Sequence, residues 1–315
     1  MNVSDPQPAA PKPKLRWFQY SLRTLLVFVT LCAIPCSWLA VKKQQAKRQR
    51  EAAAAIESLG GTVEWVGPDG PEWLDTLLGD DFFRWVDGAS WNGTIVTDAG
   101  LEHLKKLNQL HRLELISSQV TDVGLENLKG LSQLQRLDLT YANVTDAELE
   151  KLKGLNQLQE LHLFGTKVTD AGLEVLQGLP QLQRLRLGNA QVTDVGLDNL
   201  KGLNQLQELE LSYNEVADAG LENLKRLNQL KWLNLDGTKV TDAGLESLKG
   251  LRQLERLDLY ETQVTDAGLG SLKGLNQLQS LDLRKTNVTD AGVKTLQQAL
   301  PNCKIYWDPP TKDER

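Results

Sequence analysis

The residues with the clearest chemical potential are the aspartates of a recurring pentapeptide. "VTDAG" runs from Val96 to Gly100 and returns unchanged from Val168, Val240, Val264 and Val288, with near-copies from Val120, Val144, Val192 and Val216. Each copy begins 24 residues after the last. A carboxylate repeated in this way could hold metal ions, exchange protons or serve the backbone. Calcium needs several oxygen ligands close together, and each unit offers one carboxylate among apolar neighbours. A Thr-Asp pair where a turn becomes a helix suits capping: the side chains accept from exposed N–H groups, and the negative charge sits at the positive end of the helix dipole. The aspartates are therefore expected to be structural, with no metal and no cofactor.

The other candidates for chemistry are sparse. The histidines are His103, His111 and His162, and one repeat either side of His162 stand Asp138 and Arg186. An Asp–His pair on adjacent strands is the start of an acid–base device, but no serine or cysteine nucleophile has a matching place. Ion pairing between strands is the more ordinary account. Cys32, Cys36 and Cys303 provide neither a disulfide framework nor metal-ligand spacing. No phosphate-cradling glycine loop or zinc motif is present. The chain is expected not to be an enzyme.

The elements that carry these residues follow from the unit itself. In 155–178 the candidate core residues are Leu155, Leu158, Leu161, Leu163, Val168, Leu173 and Leu176. Leu161 and Leu163 alternate as in a strand, while Leu173, Leu176 and Leu179 are spaced as on a helix. A unit is thus a strand, a turn and a helix. Its few apolar side chains fall short of the entropy cost of ordering it alone, so neighbours must stack. Parallel strands then line a concave face and helices a convex one. Glu126 with Lys129, and Glu246 with Lys249, are spaced as solvent-side ion pairs. Thr166, Thr238, Thr262 and Thr286 are expected to satisfy backbone groups through their hydroxyls. In the second unit Thr145 and Glu148 have capping-box spacing. Gly130, Gly154, Gly178, Gly202, Gly250 and Gly274 are expected to close the helices.

Function should lie where the near-identical units differ. Every aromatic residue of 107–298 falls at or just beyond the strand leucines: Tyr141, Phe164, Tyr213, Trp232 and Tyr260. With His162, Arg186 and Arg256 they form a candidate protein-binding set on the concave face, since aromatics with arginine make up most binding hot spots. Trp232, Tyr213 and Tyr260 are expected to share one patch, with Glu208, Glu210 and Arg256 at its rim. The alternative is that these side chains only pack on one another.

Charge divides the chain. Residues 1–50 carry nine Lys/Arg and one acid, whereas 51–315 carry 26 basic and 40 acidic residues, a net of −14. So acidic a body excludes a nucleic-acid partner, whose phosphates need a basic surface. Residues 1–20 are a basic tail expected to be disordered. The segment 21–41 contains 18 uncharged residues, Thr24–Val41, long enough at roughly 27 Å to span a bilayer. Trp17, Phe18, Tyr20 and Trp38 flank it as interfacial aromatics do. Trp38 is too large for a signal-peptidase site after Ala40. A single-pass anchor is expected, with the Lys/Arg on its two sides too evenly balanced to select an orientation. Then come a basic, Ala-rich juxtamembrane helix at 42–60, an aromatic-rich cap with a degenerate first repeat at 61–106, eight repeats at 107–298, and a strand and tail at 299–315. "LPNCKIYW" mimics one more strand and is expected to be a thin cap.

The pattern "LxxLxLxxTxVTDAGLExLKG" over 94–307 resembles leucine-rich repeats with the V-T-D-x-G-L signature found in F-box-type receptors and many bacterial proteins. No F-box and no signature cysteine is present, so ubiquitin-ligase function does not carry over. "FQYSLRTLLVFVTLCAIPCSW", "IESLGGTVEW" and "LGDDFFRWV" look like bacterial membrane-anchored proteins of this type. The resemblance implies an α/β leucine-rich-repeat solenoid with one transmembrane helix. The expected function is a scaffold that presents its concave face to a protein partner. The alternative is a cell-envelope organising protein that self-associates.

Overall fold

The computed structural model describes residues 22–308, apart from 69, 71, 80, 81 and 92–95. The basic tail 1–20, with Trp17, Phe18 and Tyr20, and the tail beyond 308 lie outside the described residues. The chain divides into two units, 1–45 and 46–315. The first carries the front of helix α1 (Leu22–Ser58), where Val27, Leu31, Ile34, Trp38 and Val41 are exposed. Several side chains of the 24–41 run, among them Phe28, Cys32 and Pro35, also lie outside the described set. Among the described residues no helix is long and apolar enough to cross a membrane.

The second unit is built on one sheet of 11 strands in strict chain order. β1 (Thr62–Val66) and β2 (Trp85–Ser90) are antiparallel. β2 then pairs in parallel with β3 (Arg112–Glu114), and the parallel series continues through β4 (Arg136–Asp138), β5 (Glu160–His162), β6 (Arg184–Arg186), β7 (Glu208–Glu210), β8 (Trp232–Asn234), β9 (Arg256–Asp258), β10 (Ser280–Asp282) and β11 (Lys304–Tyr306). Each central leucine, from Leu113 to Leu281, faces its counterpart in the next strand and is fully buried. The side chains before and after it therefore form two columns on the other face of the sheet.

The helical side is more extended than expected. Units such as Asp242–Leu245 make one α-helical turn and run on into a 3₁₀ turn, and Gly172–Gly178, Gly196–Leu200 and Gly268–Leu272 are 3₁₀ throughout. A 3₁₀ turn rises about 2.0 Å per residue against about 1.5 Å for an α-helix. It lets a short 24-residue unit cross its own back. The Glu126–Lys129 and Glu246–Lys249 ion pairs form on this side. Of the proposed helix-closing glycines, only Gly154 takes a left-handed backbone (φ 98°).

The repeated aspartates do not cap their own helices. Thr is the N-cap, and its hydroxyl accepts from the N–H two residues on, as Thr241 does from Ala243 at 3.3 Å. The aspartate reaches forward to the next unit. Asp170 Oδ1 accepts from Thr193 N–H at 2.8 Å, and its Oδ2 accepts from the Thr193 hydroxyl at 2.6 Å. Asp98, Asp146, Asp218, Asp242 and Asp266 bind Thr121, Thr169, Thr241, Thr265 and Thr289 in the same way. The glycine of "DAG" makes room for this staple: a Cβ at Gly196 would collide with Asp170 Oδ1, and one at Gly244 with Asp218 Oδ1. Where Glu148 replaces that glycine, its own carboxylate takes the Thr145 N–H at 2.7 Å and the Thr145 hydroxyl at 2.5 Å, which is the expected capping box.

Both ends are closed by special means. The segment 42–60, expected to be a separate juxtamembrane helix, contributes Ala52, Ala53 and Ile56 to the core. Gln49 Oε1 also accepts from Val86 N–H at 3.1 Å. Trp91 is fully buried beside Ile56, with Gly61 against both, whereas Trp73 is 67% exposed and takes no part. At the far end β11 is sealed better than a thin cap would be. Lys285 N–H, whose counterparts donate to a carbonyl of the following unit, donates instead to Asp308 Oδ2 at 2.8 Å. Asp290, which has no following threonine, accepts from Trp307 Nε1 at 3.0 Å.

The staple makes a double-mutant prediction. Asp170→Ala leaves two donors of Thr193 without their acceptor and should cost about 1.5–3 kcal/mol. Gly196→Ala should cost a similar amount by displacing the same carboxylate. In the Asp170→Ala background Gly196→Ala should cost far less, a coupling of roughly 1–2 kcal/mol measurable by denaturant unfolding. Additive costs would show that the glycine and the aspartate act separately.

Candidate functional site

The parallel register sets the strand face as two columns. The first runs Arg112, Arg136, Glu160, Arg184, Glu208, Trp232, Arg256, Ser280 and Lys304. The second runs Glu114, Asp138, His162, Arg186, Glu210, Asn234, Asp258, Asp282 and Tyr306. Neighbours in a column are about 4.8 Å apart, so opposite charges pair across strands.

At the N-terminal end this pairing is nearly complete. Arg112 reaches Glu64 at 2.7 Å and Asp87 at 2.8 Å. Arg136 lies 3.2 Å from Glu160, 3.7 Å from Glu114 and 3.8 Å from Asp138. Arg184 pairs with Glu160 and, at 3.9 Å, with Glu208. His162, expected at the surface, is instead buried at 5% exposure with its Nδ1 2.9 Å from Asp138 Oδ2. It is not available to a partner. Burial alone would raise the Asp138 carboxyl. Hydrogen bonds from His162 and Thr140 outweigh burial and lower it to about 2.

The aromatic residues fall into two kinds of setting. Trp232 is half-buried and committed within the protein. Its Nε1 donates to Asp258 Oδ2 at 2.7 Å, and the guanidinium carbons of Arg186 and Arg256 lie 5.6 and 5.7 Å from its ring centre. Arg256 Nε donates to both oxygens of Asp258, at 3.0 and 2.9 Å. Trp232 therefore satisfies a buried carboxylate, which the sequence reading did not expect.

Tyr141 and Tyr213 stand differently. They occupy the turn position just past the strand, where each unit adopts a left-handed backbone (φ 56° and 55° for the two tyrosines). Bulky residues rarely accept that conformation. The next unit has Gly165 or Gly237 at the same position, and a Cβ there would strike the ring of Tyr141 or Tyr213. Each tyrosine lies over a glycine and stays largely exposed, at 57% and 52%. Tyr141 also meets Phe164 edge-on at 5.4 Å, and Phe164 in turn faces Gly188. Tyr260 has Lys285 Nζ 4.8 Å and Arg284 5.8 Å from its ring centre.

The expected single patch of Trp232, Tyr213 and Tyr260 is thus two groups. Trp232 belongs with Arg186, Arg256 and Asp258. Tyr213 and Tyr260 belong with Asp236, whose Oδ1 accepts from Tyr260 N–H at 2.8 Å and whose carbonyl accepts from Tyr213 N–H at 2.7 Å. Burial raises Asp236 to about 6, and the nearby charges of Asp258 and Asp282 add to it against the hydrogen bonds from Tyr260 and Asn234. Asp236 and the glycine seats were not singled out from sequence. The signal was there: twice, a tyrosine is followed 24 residues later by a glycine.

The sequence model described as "Leucine rich repeat" matches residues 108–168, 180–240 and 228–288, more than half of the chain. This chain is a leucine-rich-repeat protein. Among solved leucine-rich-repeat structures, an internalin (inlF) of Listeria monocytogenes is 20% identical, with 67% of this chain and 71% of that one covered and a TM-score of 0.49. Internalin C2 of the same organism is 25% identical over 72% of this chain and 82% of that one, with a TM-score of 0.47. The plant peptide hormone receptor RGFR1 in complex with RGF2 is 18% identical over 65% of this chain and 33% of the receptor, with a TM-score of 0.45. No curated protein sequence matches.

The buried Asp138 makes stability depend on pH. Its folded pKa lies below the unfolded value of 3.8. The stability it contributes is therefore full above about pH 4 and lost as pH falls toward about 2. Asp138→Asn should cost about 2 kcal/mol at pH 7 and much less near pH 2, measured by urea unfolding at both. An equal cost at both would mean that charge plays no part.

Proposed function

We propose that this leucine-rich-repeat protein is a scaffold that binds a protein partner through its strand face, held at a membrane by 24–41. The observation that carries the binding reading is the placement of Tyr141 and Tyr213. Two large aromatic rings are kept more than half exposed in a backbone conformation that disfavours them. Packing alone gives no reason for this, because smaller residues such as Ser117 and Asn189 fill the same position elsewhere. Exposed tyrosines on a rigid sheet offer a large contact area at low entropy cost. The helical side repeats one Glu–Lys pair with little variation.

The attachment reading rests on the 18 uncharged residues Thr24–Val41 and on the exposure of Val27, Leu31, Ile34, Trp38 and Val41 along α1. Apolar side chains in such number on one exposed helix need cover, and lipid provides it.

Two experiments test these readings. In a pull-down from the native source, Tyr141→Ala and Tyr213→Ala should each weaken capture of a shared partner by roughly 2 kcal/mol. The helical-side control Glu174→Ala should leave capture intact. Loss in the control alone would place binding on the opposite face. The full chain should stay in the membrane pellet after a carbonate wash, and a chain beginning at Ala46 should be soluble. Release of the full chain by the wash would end the attachment reading.

A further inference from the structure

On the strand face, the described carboxylates have ion-pair partners except Asp236 and, at the C-terminal edge, Asp308, whose Oδ2 accepts from Lys285 N–H. Asp87 and Glu64 have Arg112; Glu114, Asp138 and Glu160 have Arg136; Glu208 has Arg184 and Glu210 has Arg186. Asp258 has Arg256, Asp282 has Arg284 and Glu261 has Lys285. Asp236, in the same face, makes no ion pair among the described residues. The aromatic rings of the C-terminal half follow the same rule. Trp232 has Arg186 and Arg256, Tyr260 has Lys285 and Arg284, and Tyr306 has Lys304 and Arg284. Among the described residues of that half, Tyr213 and Trp307 have no cation over the ring; Trp307 packs against the core, which leaves Tyr213 as the one on the strand face.

Asp236 and Tyr213 are adjacent. Tyr213 N–H donates to the Asp236 carbonyl at 2.7 Å, and the Tyr213 ring covers Gly237, the residue after Asp236. Tyr260 N–H holds the Asp236 carboxylate at 2.8 Å from the other side. We propose that Tyr213, Asp236 and Tyr260 form a receptor for one cationic side chain, lysine or arginine, of a basic segment in the protein partner. This rests on the protein-binding reading above and specifies the partner's chemistry.

The physical case is the same on both sides. A half-buried carboxylate without a contact ion pair, neutralised only at longer range by Arg256, is costly, and a cation supplied from outside lowers that cost. An exposed aromatic face attracts the same cation. The body's net charge of −14 over 51–315 draws a basic segment toward the face over longer range. The groups around Asp236 fix the sign of the pH response. Asp258, Asp282 and Glu261 are acidic, while Arg256 and Lys285 are committed to Asp258 and Glu261. Asp236 must be ionised to bind a cation, and its carboxyl is raised to about 6. Binding should therefore strengthen as pH rises through that value.

The test uses the full chain in detergent micelles and a fluorescein-labelled hexa-arginine peptide as probe, read by anisotropy. An acidic body attracts any polycation, so the informative quantity is a difference between variants that each remove one negative charge. Asp236→Asn keeps the acceptor for Tyr260 N–H and should weaken binding about fivefold or more, the scale of one cation site. Glu174→Gln, on the helical side, should change it less than about twofold. Tyr213→Ala should weaken it about threefold or more. The parent should bind about threefold or more tighter at pH 7.5 than at pH 5, and Asp236→Asn should flatten that profile. Melting curves check folding, and Asp236→Asn should melt about 2–4 °C higher than the parent at pH 8, since it removes a disfavoured charge. Equal weakening by Asp236→Asn and Glu174→Gln would overturn the receptor. If at the same time Tyr213→Ala still lost the natural partner, the protein-binding reading would stand without it.

Discussion

The array depends on a hydrogen-bonded staple that joins most units to the next. One aspartate holds both the N–H and the hydroxyl of a threonine in the following repeat, with a glycine leaving room beside it. Three residue types are needed at once. A carboxylate supplies two acceptors, threonine supplies two donors, and only glycine lacks the Cβ that would displace them. This explains why the short peptide repeats so strictly while the strand-side residues vary. The staple also leaves the threonine hydroxyl able to accept from its own helical turn, so one side chain serves two backbones.

With the helical side held in this way, the strand face is free to differ from unit to unit. Its N-terminal half is used for internal pairing, arginine against carboxylate. Its C-terminal half places aromatic rings among cations, and there the matching is incomplete. A surface that neutralises itself almost everywhere makes any unmatched group conspicuous to a partner. Binding specificity can then come from one or two positions rather than from the net charge of the whole face.

Much of this was legible in the sequence and some was not. The period, the strand leucines and the helical leucines follow from spacing, because burial in a stacked unit recurs at fixed positions. The hydroxyl bonds of Thr166 and Thr238 to carbonyls three residues back are local and were readable. The aspartates read as helix caps in the sequence because a capping motif is recognised within a few residues, whereas their partners lie 23 residues on. Trp232 reads as free in the sequence for the same reason, since its acceptor Asp258 belongs to another unit. The burial of His162 depends on how its neighbours in the register pack, which spacing does not encode. With a constant period, residue pairs one unit apart are as informative as pairs one turn apart, as the Tyr–Gly pairs show.

Thr145 gives its two donors to Glu148 in its own turn. Of the threonines in this ladder, it sends neither bond back to the unit before it. The joint ahead of Thr145 is then tied by backbone and core contacts and by the Glu126–Lys151 ion pair, without the aspartate clasp, which is also reduced to a single N–H bond where Ala217 replaces threonine. A chain of clasped links with one open clasp parts first at that point. Under load or partial denaturation, the cap and the first repeats would come away as one block and leave the stretch from Thr145 onward, with every tyrosine of the strand face except Tyr141, still assembled.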